Sequence, residues 1–168
     1  MARRDQGRGL TAGERAALSP GLVQALREAG AEPRLIPSAH PGAVVAALWR
    51  GAAPILTRGA QVHWPGLRDD LSRVSDRAMG VLQHELQHVL DYAGGELTAL
   101  RYLLKPKNWV YRYRLADHSR WSDFGAEQRA QIAEHYWLLG RGRADLVEYD
   151  LNGPCAPRAA YQRVIPWT

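Results

Sequence analysis

The stretch His84-Glu85-Leu86-Gln87-His88 decides how this chain is interpreted. Residues four apart lie on the same face of an α-helix, so both imidazoles can bind one metal ion. The carboxylate between them can then reach a water molecule that the metal activates, and zinc peptidases use this arrangement. The stretch therefore indicates a zinc-dependent hydrolase in which His84 and His88 bind Zn²⁺ and Glu85 is the general base.

The residues around the motif predict the helix that it needs. Ser75 is a suitable N-cap, and Gly94-Gly95 is a suitable stop, so we expect a helix from about Asp76 to Tyr92. His84 and His88 would form a stripe beside its apolar face, where they point into a cleft. The alternative is an amphipathic core helix whose two histidines bind no metal.

A catalytic zinc usually has three protein ligands, so a third ligand must come from elsewhere in the chain. A metzincin would place Gly and His three and six residues after His88, but Asp91 and Gly94 stand there. That class is disfavoured. A glutamate-type zinc peptidase takes its third ligand from a later helix, and residues 125–139 form a suitable candidate.

Four polar residues line one side of this second helix, while apolar residues such as Ile132 can pack inward. The four polar residues are Glu127, Gln131, Glu134 and His135. Glu127 is the first candidate for the third ligand, and Glu134 and His135 are held in reserve. The alternative is an ordinary helix with a solvated polar side.

The segment from Val81 to Gly140 resembles short proteobacterial metallopeptidase-like proteins labelled as related to type VI secretion spike proteins. These are similar to a metallopeptidase-like domain that accompanies contractile-injection-system toxins. The motif, Tyr111-Arg112-Tyr113-Arg114-Leu115 and the run from Phe124 to Ile132 carry the resemblance. It implies a metallopeptidase-like fold with Glu127 as third ligand, and a secretion-spike, toxin or phage-like particle component as partner.

Other residue types in the chain suit the remaining roles of such a site. A donor must stabilise the oxyanion of the reacting carbonyl, and four residues are candidates: Tyr113, His118, His135 and Tyr136. Asp91 can accept the second imidazole N–H of a ligand or pair with Arg101. The structural role is favoured for Asp91.

Length and composition limit the organisation of the chain. At 168 residues and 46% hydrophobic, it is predicted to be a single domain over residues 1–168. We expect a flexible N-terminus over about 1–10 and an extended C-terminal arm over about 143–168. The single Cys155 makes an internal disulfide impossible and a Cys-based zinc site improbable. No membrane span or signal peptide is predicted, so a cytoplasmic origin with export by a dedicated secretion machine fits.

The formal net charge of +5 raises the question of an acidic partner. Arginines alternate with tyrosines in residues 111–114, which could contact nucleic acid. We favour a half-buried strand with its arginines on one face for this segment. Nucleic acid is therefore not the favoured partner, and peptidoglycan remains a further acidic target.

The first half of the chain predicts a small sheet beside the site. Strand candidates are 34–36, 44–49, 55–57 and 61–64, and Arg58-Gly59 suits a hairpin turn. The hairpin could form one wall of the cleft and pair with a substrate backbone. His63 is expected on the strand surface, and His40 in a loop.

These patterns together predict an α+β, zincin-like fold: a small antiparallel sheet or hairpin packed on the motif helix and on a second, ligand-bearing helix. The predicted function is a zinc-dependent metallopeptidase that hydrolyses a peptide or amide bond in a protein or peptide substrate. The alternative is a catalytically silent zincin-like interaction or assembly module of a phage-like or secretion particle.

Overall fold

The computed structural model describes residues 7–41, 54–148 and 156–168. Within these ranges it has an α+β fold, as predicted. The helices are α1 (Ala12–Ala17), α2 (Pro20–Glu28), α3 (Asp76–Ala93), α4 (Ala99–Leu104), α5 (Ala126–Gly140) and α6 (Arg158–Val164), and the strands are β1 (Arg34–Ile36), β2 (Leu56–Arg58) and β3 (Gln61–His63). The strand expected at 44–49 and Cys155 lie outside the described residues.

Among the described residues, the sheet has three strands in the order β1-β3-β2, with β2 at its edge. Strands β2 and β3 form the expected antiparallel hairpin, and its turn contains Gly59 at φ +60°. Gly is favoured at this position because a side chain would strain a left-handed backbone. Strand β1 joins the hairpin in parallel, so the sheet is mixed.

Helix α3 carries the His84–His88 motif and has the predicted bounds to within one residue. Its N-cap Ser75 accepts a hydrogen bond from the backbone N–H of Ala78, and Gly94 is its C-cap. Its apolar side packs into a core shared with α2 and the sheet, formed by residues that include Leu22, Leu26, Leu35, Val62, Leu82 and Leu86. Helix α3 therefore packs between α2 and the sheet.

Helix α5 packs closely along α3 and begins at a tightly packed point. A Cβ on Gly80 of α3 would lie 3.2 Å from Leu138 Cδ2, so the missing side chain permits the close approach of the two helices. The N-cap of α5 is Gly125, where a Cβ would lie 2.2 Å from the carbonyl oxygen of Lys107. Two glycines thus help to set the position of α5 beside the motif helix.

The N-terminal residues of the described chain are more ordered than expected. The backbone of Arg8 pairs with that of Leu35, and its guanidinium donates to both carboxylate oxygens of Glu14 at 2.8 and 2.7 Å. Residues 7–10 therefore differ from the flexible N-terminus that composition suggested, because these bonds hold them to β1 and α1. Residues 1–6 lie outside the described part.

The C-terminal arm is also not simply extended. Residues 158–164 form α6, because Ala160, Tyr161 and Val164 share a face that is buried against α5. Proline limits the helix to two turns but does not prevent it. Beyond it, Trp167 Nε1 donates to Gln87 Oε1 of the motif helix at 2.9 Å.

Residues 111–115 do not form a regular strand in the structure. Tyr113 is buried, but Tyr111 is exposed like Arg112 and Arg114, so the predicted alternation holds only around Tyr113. The segment makes an isolated bridge at Tyr113 and continues as irregular chain. Alternation alone could not distinguish this from a strand, because strand assignment requires a hydrogen-bonded neighbour.

No helix in the described ranges combines the length and the apolar character needed to cross a bilayer.

Candidate metal centre

Three buried side chains from α3 and α5 converge at one point. His84, His88 and Glu127 each offer one ligand atom, and these atoms lie within 4.8 Å of one another. The Nε2 atoms of both histidines lie 3.3 Å from the same oxygen, Oε2 of Glu127. The histidines are one turn apart on α3, and the packing of α5 along α3 brings Glu127, in the first turn of α5, to both of them.

The electrostatics of this cluster favour a positive charge inside it. Burial lowers the pKa of His84, but the carboxylates of Glu127 and Glu134 more than offset this and raise it to about 10. Burial likewise raises the pKa of Glu127, whereas hydrogen bonds to the two imidazoles bring it well below its usual range. A proton or a metal cation can supply the positive charge.

The second oxygen of Glu127 is held by a tyrosine that sequence patterns did not single out. Tyr102 of α4 donates its hydroxyl to Glu127 Oε1 at 2.7 Å. Burial and the nearby carboxylate raise the pKa of Tyr102, so this hydroxyl keeps its proton. Glu127 is thereby oriented with Oε2 toward the two histidines.

Glu85 is also held by a neighbour from another element. Its Oε2 accepts a hydrogen bond of 2.6 Å from Thr57 Oγ1, on the edge strand β2. Glu85 is 7% exposed and faces the same cavity as the three converging residues. The carboxylate is thus both oriented and accessible from the cavity.

The cavity has a volume of about 520 Å³ and opens between the edge strand and the two site helices. Strand β2 and the residues before it form one wall, which bears out the expected position of the hairpin. Most of the remaining surface is apolar or aromatic. The lining includes Pro54, Ile55, Leu56, Thr57, Arg58, Tyr92, Leu97, Ala99, Tyr102 and Tyr111, together with His40.

The two reserve ligands lie outside the cluster of converging atoms. Glu134 Oε2 lies 3.2 Å from Nδ1 of His84, which is the ring nitrogen opposite the one facing Glu127. His135 is fully buried and contacts Tyr113 and Gln131. The structure brings Glu127 to the Nε2 atoms of both histidines and places Glu134 at Nδ1 of His84.

The four candidates for oxyanion stabilisation do not line the cavity: Tyr113, His118, His135 and Tyr136. Tyr113, His135 and Tyr136 are buried elsewhere, and His118 is exposed. The tyrosines that do line it are Tyr92, Tyr102 and Tyr111, and the ring of Tyr111 stacks on that of His84 with centroids 6.3 Å apart. Spacing along the chain could not reveal them, because they come from three separate elements.

The remaining sequence candidates take structural positions. Asp91 pairs with Arg129 at 3.1 Å and accepts from Gln87 at 2.8 Å, and burial raises its pKa. The side chain of Arg101 lies outside the described part. His63 is buried and not on the strand surface, and its ring meets that of His40 at 4.8 Å.

The residues present fit a catalytic metal. Two imidazole nitrogens and one carboxylate oxygen are a donor set that Zn²⁺ uses in hydrolytic sites, with a further position left for water or substrate. The Nδ1 atom of His84 already has an acceptor in Glu134, so its Nε2 is left for a cation. The arrangement can hold a metal ion beside a buried carboxylate in a substrate-sized cavity.

Comparison with known proteins supports the fold. No model of a protein family matches the chain, and no curated protein sequence matches it. Among solved structures, the effector domain of Pseudomonas aeruginosa VgrG2b is similar, with a TM-score of 0.62 and 22% sequence identity. The match covers 82% of this chain and 78% of that chain. At this identity, the likeness shows that the two chains share a fold.

Proposed function

We propose that this protein is a zinc-dependent metallopeptidase acting on a protein or peptide. His84, His88 and Glu127 are the metal ligands, and Glu85 is the general base. The observation that carries the proposal is the meeting of two features in one cavity. A three-residue donor set lies beside a carboxylate that another element holds in place.

The chemistry divides between the metal and the chain. A zinc ion at this site supplies a Lewis acid that polarises the carbonyl and makes water a stronger nucleophile at neutral pH. Glu85 accepts the proton of the attacking water as the new C–O bond forms. It then gives that proton to the leaving nitrogen as the C–N bond breaks, while Thr57 keeps its carboxylate oriented.

The edge strand supports a peptide substrate. Strand β2 borders the cavity and has a sheet neighbour, β3, on one side. Among the described residues β2 pairs only with β3, so its other edge can offer backbone donors and acceptors to an extended chain, which binds as an added strand. The apolar lining next to it favours substrates with apolar side chains near the cleaved bond.

The biological setting is proposed from similarity. The sequence resembles proteins labelled as related to type VI secretion spikes, and the similar solved structure is an effector domain. We infer that the protein is made in the cytoplasm and exported by a dedicated secretion machine. Its partner would be a secretion-spike, toxin or phage-like particle component.

The test combines metal content with hydrolysis of a peptide library. Wild type and Glu85→Gln should each retain about one zinc per chain, whereas His88→Ala and Glu127→Ala should lose it. Glu85→Gln should lower the rate of hydrolysis by roughly 10²–10⁴-fold, because the general base is removed while the ligands stay. Elemental mass spectrometry and product analysis measure the two effects.

Glu28→Gln is the matched control, because Glu28 is an exposed carboxylate on α2, outside the cavity lining. It should keep both the metal and the activity. A zinc-loaded wild type that cleaves no peptide in the library, or activity that survives Glu85→Gln, would contradict the proposal. An assembly module built on the same fold would then be the better explanation.

A further inference from the structure

A line of buried polar side chains leads from the metal centre to the C-terminal helix and has no part in the proposed chemistry. It begins where Nδ1 of His84 meets Oε2 of Glu134 at 3.2 Å. The same oxygen accepts a hydrogen bond of 2.9 Å from Nε2 of Gln131. Gln131 therefore contacts Glu134, which in turn contacts the candidate ligand His84.

The line continues from Gln131 toward the C-terminus. Gln131 Nε2 lies 2.8 Å from Nε2 of His135, and His135 Nδ1 lies 2.5 Å from the hydroxyl of Tyr113. Tyr113 in turn donates to the hydroxyl of Tyr161, on α6, at 3.1 Å. Five contacts thus connect His84 on α3 to Tyr161 on α6. They pass through three residues of α5 and through Tyr113.

Nearly all of this line is shielded from water. His135 and Tyr161 are fully buried, Tyr113 is 2% exposed and Gln131 is 4% exposed. A buried polar group without a partner costs free energy, so such groups persist where each is paired. Removing one member of the line therefore takes one buried hydrogen bond from each of its neighbours.

The chemistry of the side chains determines which group donates in each contact. A carboxylate oxygen of Glu134 can only accept, so the side chain of Gln131 must turn its NH₂ group toward it. The second N–H of that group then points at His135 Nε2, which must accept. The His135 ring consequently carries its proton on Nδ1 and donates it to the oxygen of Tyr113.

The same reasoning sets the tautomer of the metal ligand. Glu134 accepts from Nδ1–H of His84, so a cation bound beside Glu127 Oε2 would take the lone pair of Nε2. In metal sites, the hydrogen bond at one ring nitrogen fixes the tautomer and the ring orientation for the other. The other ligand lacks this support, because Nδ1 of His88 has no hydrogen-bond partner among the described residues.

We propose that Gln131 is a positioning residue for the metal centre: its amide links Glu134 to the His135–Tyr113–Tyr161 line and so couples helix α6 to the His84 ligand. This inference rests on the metal site of the proposed function. Gln131 acts through Glu134 and touches neither substrate nor metal. Its loss lets Glu134 turn away from His84 and weakens metal binding.

The decisive measurement compares Gln131→Met with Gln83→Met in the full chain. Gln83 is a matched control because it is fully buried, lies next to His84 on α3, and directs its oxygen to the backbone N–H of Ser19. Zinc affinity is measured by competition with a chromophoric chelator. We expect Gln131→Met to bind zinc about 10–100-fold more weakly, as is usual when an outer partner of a ligand is removed, and Gln83→Met to bind it as wild type does.

A second measurement separates positioning from folding. The free energy of unfolding of each metal-free variant reports its structural cost, and the absorption spectrum of the cobalt(II) form reports the ligand geometry. Tyr113→Phe provides a milder break in the line, should Gln131→Met fail to fold. It should change the cobalt spectrum and weaken zinc binding, whereas Gln83→Met should change neither.

The outcomes distinguish this inference from the proposed function. Zinc affinities and cobalt spectra of Gln131→Met and Tyr113→Phe that match those of Gln83→Met would overturn the positioning role. A wild type that binds no zinc would overturn both. If Gln131→Met binds zinc more weakly as expected but the wild type cleaves no peptide, the positioning role stands and the peptidase function is rejected.

Discussion

Glu85 takes its orientation from a hydroxyl on the neighbouring sheet, because Thr57 donates to its carboxylate at 2.6 Å. Thr57→Val keeps the shape of the side chain and removes the donor. A hydrogen bond to a charged group contributes about 1.5–3 kcal/mol, so we expect the rate of hydrolysis to fall at least about tenfold. Zinc content should not change, since Thr57 does not contact a ligand.

Thr57→Ser is the matched variant, because it restores the hydroxyl on the same strand. Steady-state kinetics of both variants on one cleaved peptide measure the effect. Equal losses in the valine and serine variants would show that the hydroxyl is not what matters at this position.

Glu14 supports the fold from a fully buried position far from the metal centre in sequence. It accepts hydrogen bonds from Arg8, from the backbone N–H of Thr11 and from that of Leu71. Burial raises the pKa of Glu14, but these donors bring it below its ordinary value of 4.5. Glu14→Gln should therefore lower the free energy of unfolding at pH 7 by on the order of 3 kcal/mol.

The pH dependence of that difference has a defined sign. A carboxyl whose pKa is lower in the folded state contributes stability above its unfolded pKa, and this is lost as the pH falls through the folded pKa. The stability gap between metal-free wild type and Glu14→Gln should thus narrow as the pH falls from 7 to below 4.5. Denaturant titrations over this pH range check the prediction. Glu32 is exposed, so Glu32→Gln serves as the control, and its free energy of unfolding should stay close to that of wild type at every pH.

Spacing along the chain was enough to identify the two histidines and a short list of third ligands headed by Glu127, whereas the supporting residues could not be found this way. Residues four apart always lie on one face of a helix, so the spacing of His84 and His88 is sufficient for the first two ligands. For the third ligand, the later helix offers only a few candidates, of which Glu127 comes first. Thr57 and Tyr102 act across elements that are distant in sequence. Nothing in their local pattern separates them from other threonines and tyrosines.

At the level of elements, the start of α5 depends on a close approach that only glycine allows. Gly125 has φ −73°, which alanine adopts freely, but a Cβ there would lie 2.2 Å from the carbonyl oxygen of Lys107. Gly125→Ala should push the helix start away and lower the free energy of unfolding by about 1–3 kcal/mol. It should also weaken zinc binding, because Glu127 lies only two residues further on.

Gly94→Ala is the control for this change. Gly94 is the C-cap of α3 at φ −76°, and a Cβ there would meet its nearest neighbour, the carbonyl oxygen of Leu90, at 3.5 Å. Chemical unfolding and chelator competition on both variants give the two effects. Unaltered zinc binding in Gly125→Ala would mean that the position of Glu127 does not depend on the helix start.

The long helices could be predicted from sequence, whereas the C-terminal helix α6 could not. Caps and apolar periodicity act within a helix, so they were sufficient for α3 and α5. Helix α6 is stabilised mainly by burial of Tyr161 against α5, which is a contact between distant parts of the chain. The parallel pairing of β1 with β3 is likewise a tertiary feature.

At the scale of the whole molecule, two apolar clusters meet at the C-terminus. One surrounds α3 and the sheet, and the other lies between α5 and α6; Trp167 packs against both. Its indole also donates to Gln87 of the motif helix. The last residues of the chain thus connect the two apolar clusters.

A metal bound at this site would join the same two helices and so stabilise the whole fold. Two ligands lie on α3 and the third on α5, so the complete donor set exists only in the folded chain. Binding to the folded state alone adds about 4 kcal/mol of stability when free zinc exceeds its Kd a thousandfold. We expect zinc to raise the Tm of wild type and of Glu85→Gln, but not that of Glu127→Ala.

The two glutamate variants make this a sharp comparison, because each removes one buried carboxylate from the same cavity while only Glu127 belongs to the donor set. Differential scanning calorimetry with and without zinc measures the shift. If Glu127→Ala gained as much stability from zinc as wild type, the metal would be binding elsewhere on the chain. Glu85 would then have no activated water beside it, and the peptidase proposal would fail at its first step.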